Sequence, residues 1–252
     1  MRFLILSALL LLAPLVPAVD STLDRYDALL ERYVVDGNVR YDAWRDDKSD
    51  RDALAEVIEA FEATSPATLG ANDRFALYIN LYNAETLQIV LDGDPEKSIK
   101  DLSKARFGYG IFFKKHIDFD GETISLNSLE KRLRVESGDP RVHFAVNCAS
   151  RSCPALLEEA YRGERLDDQL ERQSFAFLER EDALRFEERA FGAPVVRLSK
   201  IFDWYVEDFG GKQGVRNFVR EYAPEEIRAR ITGGGFRVAY MAYDWNLNRA
   251  GR

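Results

Sequence analysis

The chain has 252 residues, 43 acidic against 35 basic side chains, and a formal net charge of -8. Its basic residues are scattered among acidic ones with no long basic run, which argues against nucleic acid as the main partner. Two cysteines and two histidines are all it has of either type, and there is no CxxC, HExxH, GxSxG or phosphate-loop pattern, so no cofactor and no metal is implied.

Residues 1–18 have the pattern of a secretory signal. Arg2 gives the positive start, an apolar run follows that is short for a membrane span, and Val16-Pro17-Ala18 offers small residues for cleavage. The expectation is an exported chain beginning near Val19, with an uncleaved anchor as the alternative. No later segment is apolar enough to cross a bilayer.

Residues 21–34 carry Leu23, Tyr26, Leu29, Leu30 and Val34 at helical spacing, with Ser21 as the cap. Asp36-Gly37 is a turn, and Val39 and Tyr41 alternate before Trp44. Residues 50–63 form a second amphipathic helix that Ser65-Pro66 breaks. Residues 72–91 are apolar on nearly every side, which predicts a helix buried at the centre of the domain. Asn80 and Asn83 then sit three apart inside the core, where amides need partners. Either they tie down loop backbone, or one of them orients a catalytic imidazole or donates to an oxyanion.

Asp120-Gly121 marks a hairpin between residues 114–118 and 122–125. Asn127-x-x-Glu130 resembles a capping box, which gives Glu130 a structural role. Residues 142–146 alternate Val142, Phe144 and Val146 with His143 and Ala145, a period of two that reads as a strand. His143 and Asn147 then face one side and Cys148 the other. Pro154 suits the first turn of a helix, so Cys153 falls at a helix N-terminus, where the dipole stabilises a thiolate. Helices follow at 166–178, 199–209, 214–222 and 225–231, with short strands at 183–187, 195–198 and 236–240. The predicted fold is α+β: a single domain over 19–252, with a mostly antiparallel sheet of short strands packed on a central buried helix and surrounding helices.

The segments YINLYNAETL (78–87), SIKDL (98–102), ISLNSLEKRLR (124–134), PRVHFAVNCASRSCPAL (140–156), IFDWYVEDFGG (201–211) and YDWNLN (243–248) occur together in one order. In that combination the chain resembles the family known as domain of unknown function 547, DUF547. The resemblance implies a bacterial exported protein of one α+β domain, located in the periplasm, and it implies no reaction. The family's usual Glu-His pair stands here as Glu130-Lys131, which removes the histidine that a metal at that pair would need.

Two functions from different classes fit these residues. The first is a cysteine-dependent acyl-transferase or amide hydrolase, analogous to papain-like and transglutaminase-like sites although His precedes Cys here. Cys153 is its nucleophile, His143 its base, and Asn83, Asp203 or Glu130 orients the imidazole. The second is a non-catalytic binding or scaffold module of the cell envelope, in which Cys148 and Cys153 form a disulfide and Asn80 and Asn147 are structural polar groups. Zinc held by His143, Cys148 and Cys153 lacks a fourth ligand at a recognisable spacing. The ligand in either case is an unidentified small molecule or peptide.

Overall fold

The computed structural model describes residues 19–251; the leader-like stretch 1–18 lies outside the described residues. Helix α1 (Val19–Tyr33) leads into a two-residue hairpin, β1 (Val34–Val35) and β2 (Asn38–Val39). Asp36 and Gly37 both take positive φ there, the geometry that lets so tight a turn match strand twist. Helix α2 (Tyr41–Asp46) follows. Helix α3 (Lys48–Glu62) starts where the Asp47 carboxylate accepts the Asp50 N–H. Helix α4 (Ala71–Gly93) is the central one: Ala76 through Leu87 are buried without interruption.

A short helix α5 (Gly110–Phe113) precedes the hairpin of β3 (Ile117–Phe119) and β4 (Glu122–Ile124), which turns at Asp120-Gly121 as its sequence predicts. Helix α6 (Leu126–Ser137) packs with α3 against α4. Its cap is Ser125, whose hydroxyl accepts the Ser128 N–H, so the capping-box reading of Asn127 and Glu130 is shifted by two residues. Glu130 is thereby free of any capping duty and turns toward the interior.

The predicted strand at 142–146 is instead a 3₁₀ turn, Pro140–Phe144, started by Pro140 and by the Asp139 carboxylate accepting the Arg141 N–H. Its period of two has another cause. The chain runs between two apolar clusters, and it gives Val142 and Val146 to one and Phe144 to the other. Nor does a helix follow Pro154: residues 151–162 are turns and irregular chain until a short 3₁₀ turn leads into α7 (Leu166–Glu179). Cys153 therefore has no helix dipole behind it.

Strands β5 (Leu184–Glu187) and β6 (Val195–Leu198) pair antiparallel. Helix α8 (Ile201–Trp204) stops at Tyr205, shorter than the predicted 199–209 helix, and turns carry the chain to α9 (Gly211–Tyr222) and α10 (Glu225–Ile231). Strand β7 (Arg237–Tyr240) then joins β6 in parallel. The strands thus form two hairpins and one three-stranded sheet, mostly antiparallel, within an α+β fold. Among the described residues no helix is long and apolar enough to cross a membrane.

The larger apolar cluster surrounds α4; the second collects Phe144, Phe202, Phe209 and Phe218 with the β5–β6–β7 sheet. Helix α7 bridges them, with Leu166 and Leu170 in the first and Phe177 and Leu178 in the second. The last residues run back across both halves of the chain. Ser152 N–H donates to Asp244 O, Arg151 N–H to Asn246 O, and Val39 N–H to Asn248 O. The Tyr41 hydroxyl donates to Asn248 Oδ1 at 2.7 Å.

Candidate functional site

The seam between the two clusters opens into a cavity of about 340 Å³. Tyr82 and Val146 line it from the α4 side, and Ile201, Trp204 and Tyr205 from the other. His143, Cys148, Cys153 and Glu130 all reach it, so four sequence candidates share one space.

The loop that carries the thiols is braced from below by amides. Asn83 Oδ1 accepts the Asn147 N–H at 2.8 Å, and its Nδ2 donates to Ala145 O at 2.9 Å. Asn147 repeats the pattern inside the loop: Nδ2 donates to Pro154 O and Oδ1 accepts the Ala149 N–H. Ala149 sits at φ +59°, a left-handed conformation that such a brace helps to hold. Asn80 is buried too, but it bonds both backbone groups of Tyr161 and does not touch the 147–153 loop. The partners of Asn80 and Asn83 named here are backbone groups of Tyr161, Ala145 and Asn147.

Within the loop the two sulfurs lie 2.7 Å apart, and the Cys148 N–H donates to Cys153 Sγ at 2.9 Å. No disulfide joins them; both cysteines are free. Cys148 is the more accessible of the two, whereas Cys153 is buried. The Cys148 sulfur also has the Ser150 hydroxyl at 3.1 Å and the Tyr243 hydroxyl at 3.3 Å, and Ser150 Oγ donates to Tyr243 Oη at 3.0 Å. Burial pushes the Cys148 thiol up, but its hydrogen-bond contacts with Cys153, Ser150 and Tyr243 outweigh it and hold its pKa below the ordinary thiol value. Cys153 moves the other way: burial first, and then its neighbour Cys148, push it well above that value.

His143 is buried, and its Nε2 lies 2.7 Å from Asp208 Oδ2. The ionised carboxylate accepts the Nε2–H, which leaves Nδ1 as the basic nitrogen. Arg134 Nε donates to the same oxygen at 2.6 Å. The Asp208 carboxyl is held well below the usual carboxylate range, first by the His143 hydrogen bond and then, against the cost of burial, by Arg134. The Tyr205 ring lies between the imidazole, 4.1 Å away by centroids, and the Arg134 guanidinium at 4.4 Å. Among the described residues no hydrogen bond links His143 to either thiol.

Asp208 takes the orienting role that the sequence assigned to Asn83, Asp203 or Glu130. Asp203 is paired with Lys200 at 2.6 Å, Asn83 is occupied by the loop, and Glu130 hydrogen-bonds the Tyr205 hydroxyl in the cavity wall. Nothing in IFDWYVEDFGG singles out Asp208 from Asp203 and Glu207; only the turn after α8 decides which acid reaches the imidazole. Ser150 and Tyr243 were equally invisible, since their partner is a sulfur 95 positions from Tyr243. No group of three or more His, Cys, Asp or Glu side chains among the described residues is arranged to hold a metal ion.

The family model described as Protein of unknown function, DUF547, matches residues 66–178. The chain carries a DUF547 domain. The matched DUF547 segment contains Asn83, Glu130, His143 and both cysteines, while Asp208, Tyr243 and Trp245 come from the chain beyond it. Comparison with curated proteins and with solved structures gives no match.

Proposed function

We propose that this DUF547 protein is a thiol-dependent enzyme of acyl transfer or amide hydrolysis, with Cys148 as the nucleophile. One observation carries the reading: the Cys148 sulfur stands in an aromatic cavity with the Cys153 thiol and the Tyr243 hydroxyl as donors, Ser150 Oγ donating on to Tyr243, and these contacts hold its pKa down. The thiolate is the nucleophilic form, and such donors stabilise it at neutral pH. Cys153, buried and pushed up, keeps its proton and serves as one of those donors. His143, fixed by Asp208, has its Nδ1 available to take up and return a proton during acyl exchange. The thioester forms as the acyl carbon binds Cys148 Sγ and the leaving group departs with a proton. The signal-like pattern of residues 1–18 supports export, where such an enzyme would act on envelope or extracellular substrates.

The test is alkylation of the native protein by iodoacetamide, followed site by site with mass spectrometry between pH 5 and 10. Cys148 is expected to react first, with a midpoint below the ordinary thiol value of about 8.5. Cys153→Ala should raise that midpoint, because it removes one donor. Equal and slow labelling of both thiols, or faster labelling of Cys153, would overturn the assignment.

The 2.7 Å approach of the two sulfurs favours a second reading. In an oxidising compartment the pair would close to a disulfide with an S–S bond of about 2.05 Å, and the protein would be a stapled binding module. Intact mass of protein taken from its native compartment, with and without reductant, separates the two: a loss of two hydrogens supports the staple.

A further inference from the structure

The charges around the cavity are one-sided. Among the described residues, apart from the thiols and His143, its only ionisable acid or base other than tyrosine is Glu130, and no lysine or arginine lines it. The guanidinium of Arg134 is shared: it bonds Asp208 and lies over the Tyr205 ring, and that of Arg180, behind the cysteine loop, is spent on the carbonyls of Arg151 and Cys153 and on Asp182. Two carboxylates, Glu130 and Asp208, thus have one arginine between them. The Glu130 charge is felt inside the wall. Burial first, and Glu130 second, push the hydroxyls of both Tyr82 and Tyr205 up.

The rest of the wall is aromatic. Tyr109, Trp204, Tyr243 and Trp245 stand edge to face or tilted against one another, with centroids 4.7–6.0 Å apart. Ring faces carry negative electrostatic potential and attract ammonium groups. This cluster already does so at its rim: Lys100 Nζ lies 4.2 Å from the Tyr109 centroid and 4.6 Å from that of Trp245. Lys100 does not line the cavity, and the carboxylate of Glu130 and the rings of Trp204, Tyr205 and Tyr243 are not shared with it.

We infer that the cavity binds a primary ammonium group on an apolar stem, the ammonium meeting Glu130 among the tyrosine rings and the stem lying along the tryptophan-lined wall. A carboxylate or phosphate ligand would instead face Glu130 and the Cys148 sulfur with no cation in the wall. The inference rests on the proposed enzyme reading for the location of the site and not for the thiol's chemistry. In an acyl-transfer enzyme such an amine is the natural acyl acceptor. His143 takes one proton from the ammonium, the amine nitrogen forms the C–N bond as the C–S bond of the thioester breaks and the Cys148 thiolate leaves, and the second nitrogen proton is released to solvent as the amide forms.

Trp204 and Trp245 supply the readout, since a bound ligand alters their fluorescence. The full chain is titrated at pH 7 with 2-phenylethylammonium, 2-phenylethanol and 3-phenylpropionate. The ammonium is expected to bind at least tenfold more tightly than either of the others. Glu130→Gln should bring it to the affinity of the alcohol, and unchanged alcohol binding shows that the variant has kept its cavity. Equal binding of ammonium and alcohol by the unmodified chain overturns the inference without any variant. So does tightest binding of the carboxylate, with Lys100→Gln abolishing it, or no binding by any probe. Cys148 alkylation is measured separately, so loss of the ammonium preference with intact labelling sinks this inference alone, and the converse sinks only the enzyme reading.

Discussion

Asp208 is one carboxylate shared by an imidazole and a guanidinium, and its behaviour in acid follows from that. Its carboxyl is held down by His143 and Arg134 in the folded chain. A depressed acid contributes stability that is present above its unfolded pKa of about 4 and is lost as the pH falls through the folded value. Asp208→Asn removes this contribution at neutral pH, by about 1.5–3 kcal/mol for a charge-assisted pair. The stability curves of the variant and the parent, measured by urea unfolding from pH 7 to pH 2, are expected to approach each other below pH 4. Parallel curves over that range would show that Asp208 carries no such charge coupling. The histidine itself was legible in the sequence as the only strong base near the cysteines. Its partner was not, because three acids within six positions of one motif look alike until the turn at Tyr205 sends one of them inward.

At the scale of elements, α4 and the cysteine loop depend on each other through Asn83. Its apolar surroundings predicted a buried helix, and an amide at such a place predicted a bond to something that needed one. Asn83→Leu keeps the volume but strands Ala145 O and the Asn147 N–H. The expected cost is about 1–3 kcal/mol for each stranded group, read as a lower urea midpoint. Less than about 0.5 kcal/mol in total would mean that water or a neighbour takes over. Periodicity read α1, α3, α4 and α7 with little error, since each has a broad face toward one cluster. It failed at Pro140–Phe144, because alternating residues there divide between two clusters and not between a core and solvent. Cys153 at a helix start failed for a related reason. Pro154 permits a helix, but the carbonyl of Pro154 is spent on Asn147 and that of Ala155 on Gln173.

For the whole molecule, the position of α4 sets the order in which structure is lost. It is enclosed by α3, α6 and the chain around Tyr161, so its amides are exposed only when the larger cluster opens. In native-state hydrogen exchange the amides from Ile79 to Leu87 are expected to exchange slowest, at the rate of global unfolding. The β5–β6–β7 sheet, built on the second cluster, is expected to exchange ahead of them. Faster exchange in α4 than in that sheet would contradict this order. The α+β class was readable from long amphipathic stretches mixed with short strands. The seam between two clusters was not, and it is the seam that makes the cavity.

The return of residues 244–248 across the cysteine loop has a consequence for how the protein comes into being. Arg151 and Ser152 have their N–H groups held by carbonyls that are synthesised more than ninety residues later. Tyr243, a donor to Cys148, belongs to the same late stretch. While the chain is still emerging, α4 and its neighbours can collapse, but the cysteine loop lacks these contacts. The surroundings of the Cys148 sulfur are therefore assembled late: a chain stopped anywhere before Tyr243 carries the cysteine loop without the hydroxyl and the carbonyls that hold it.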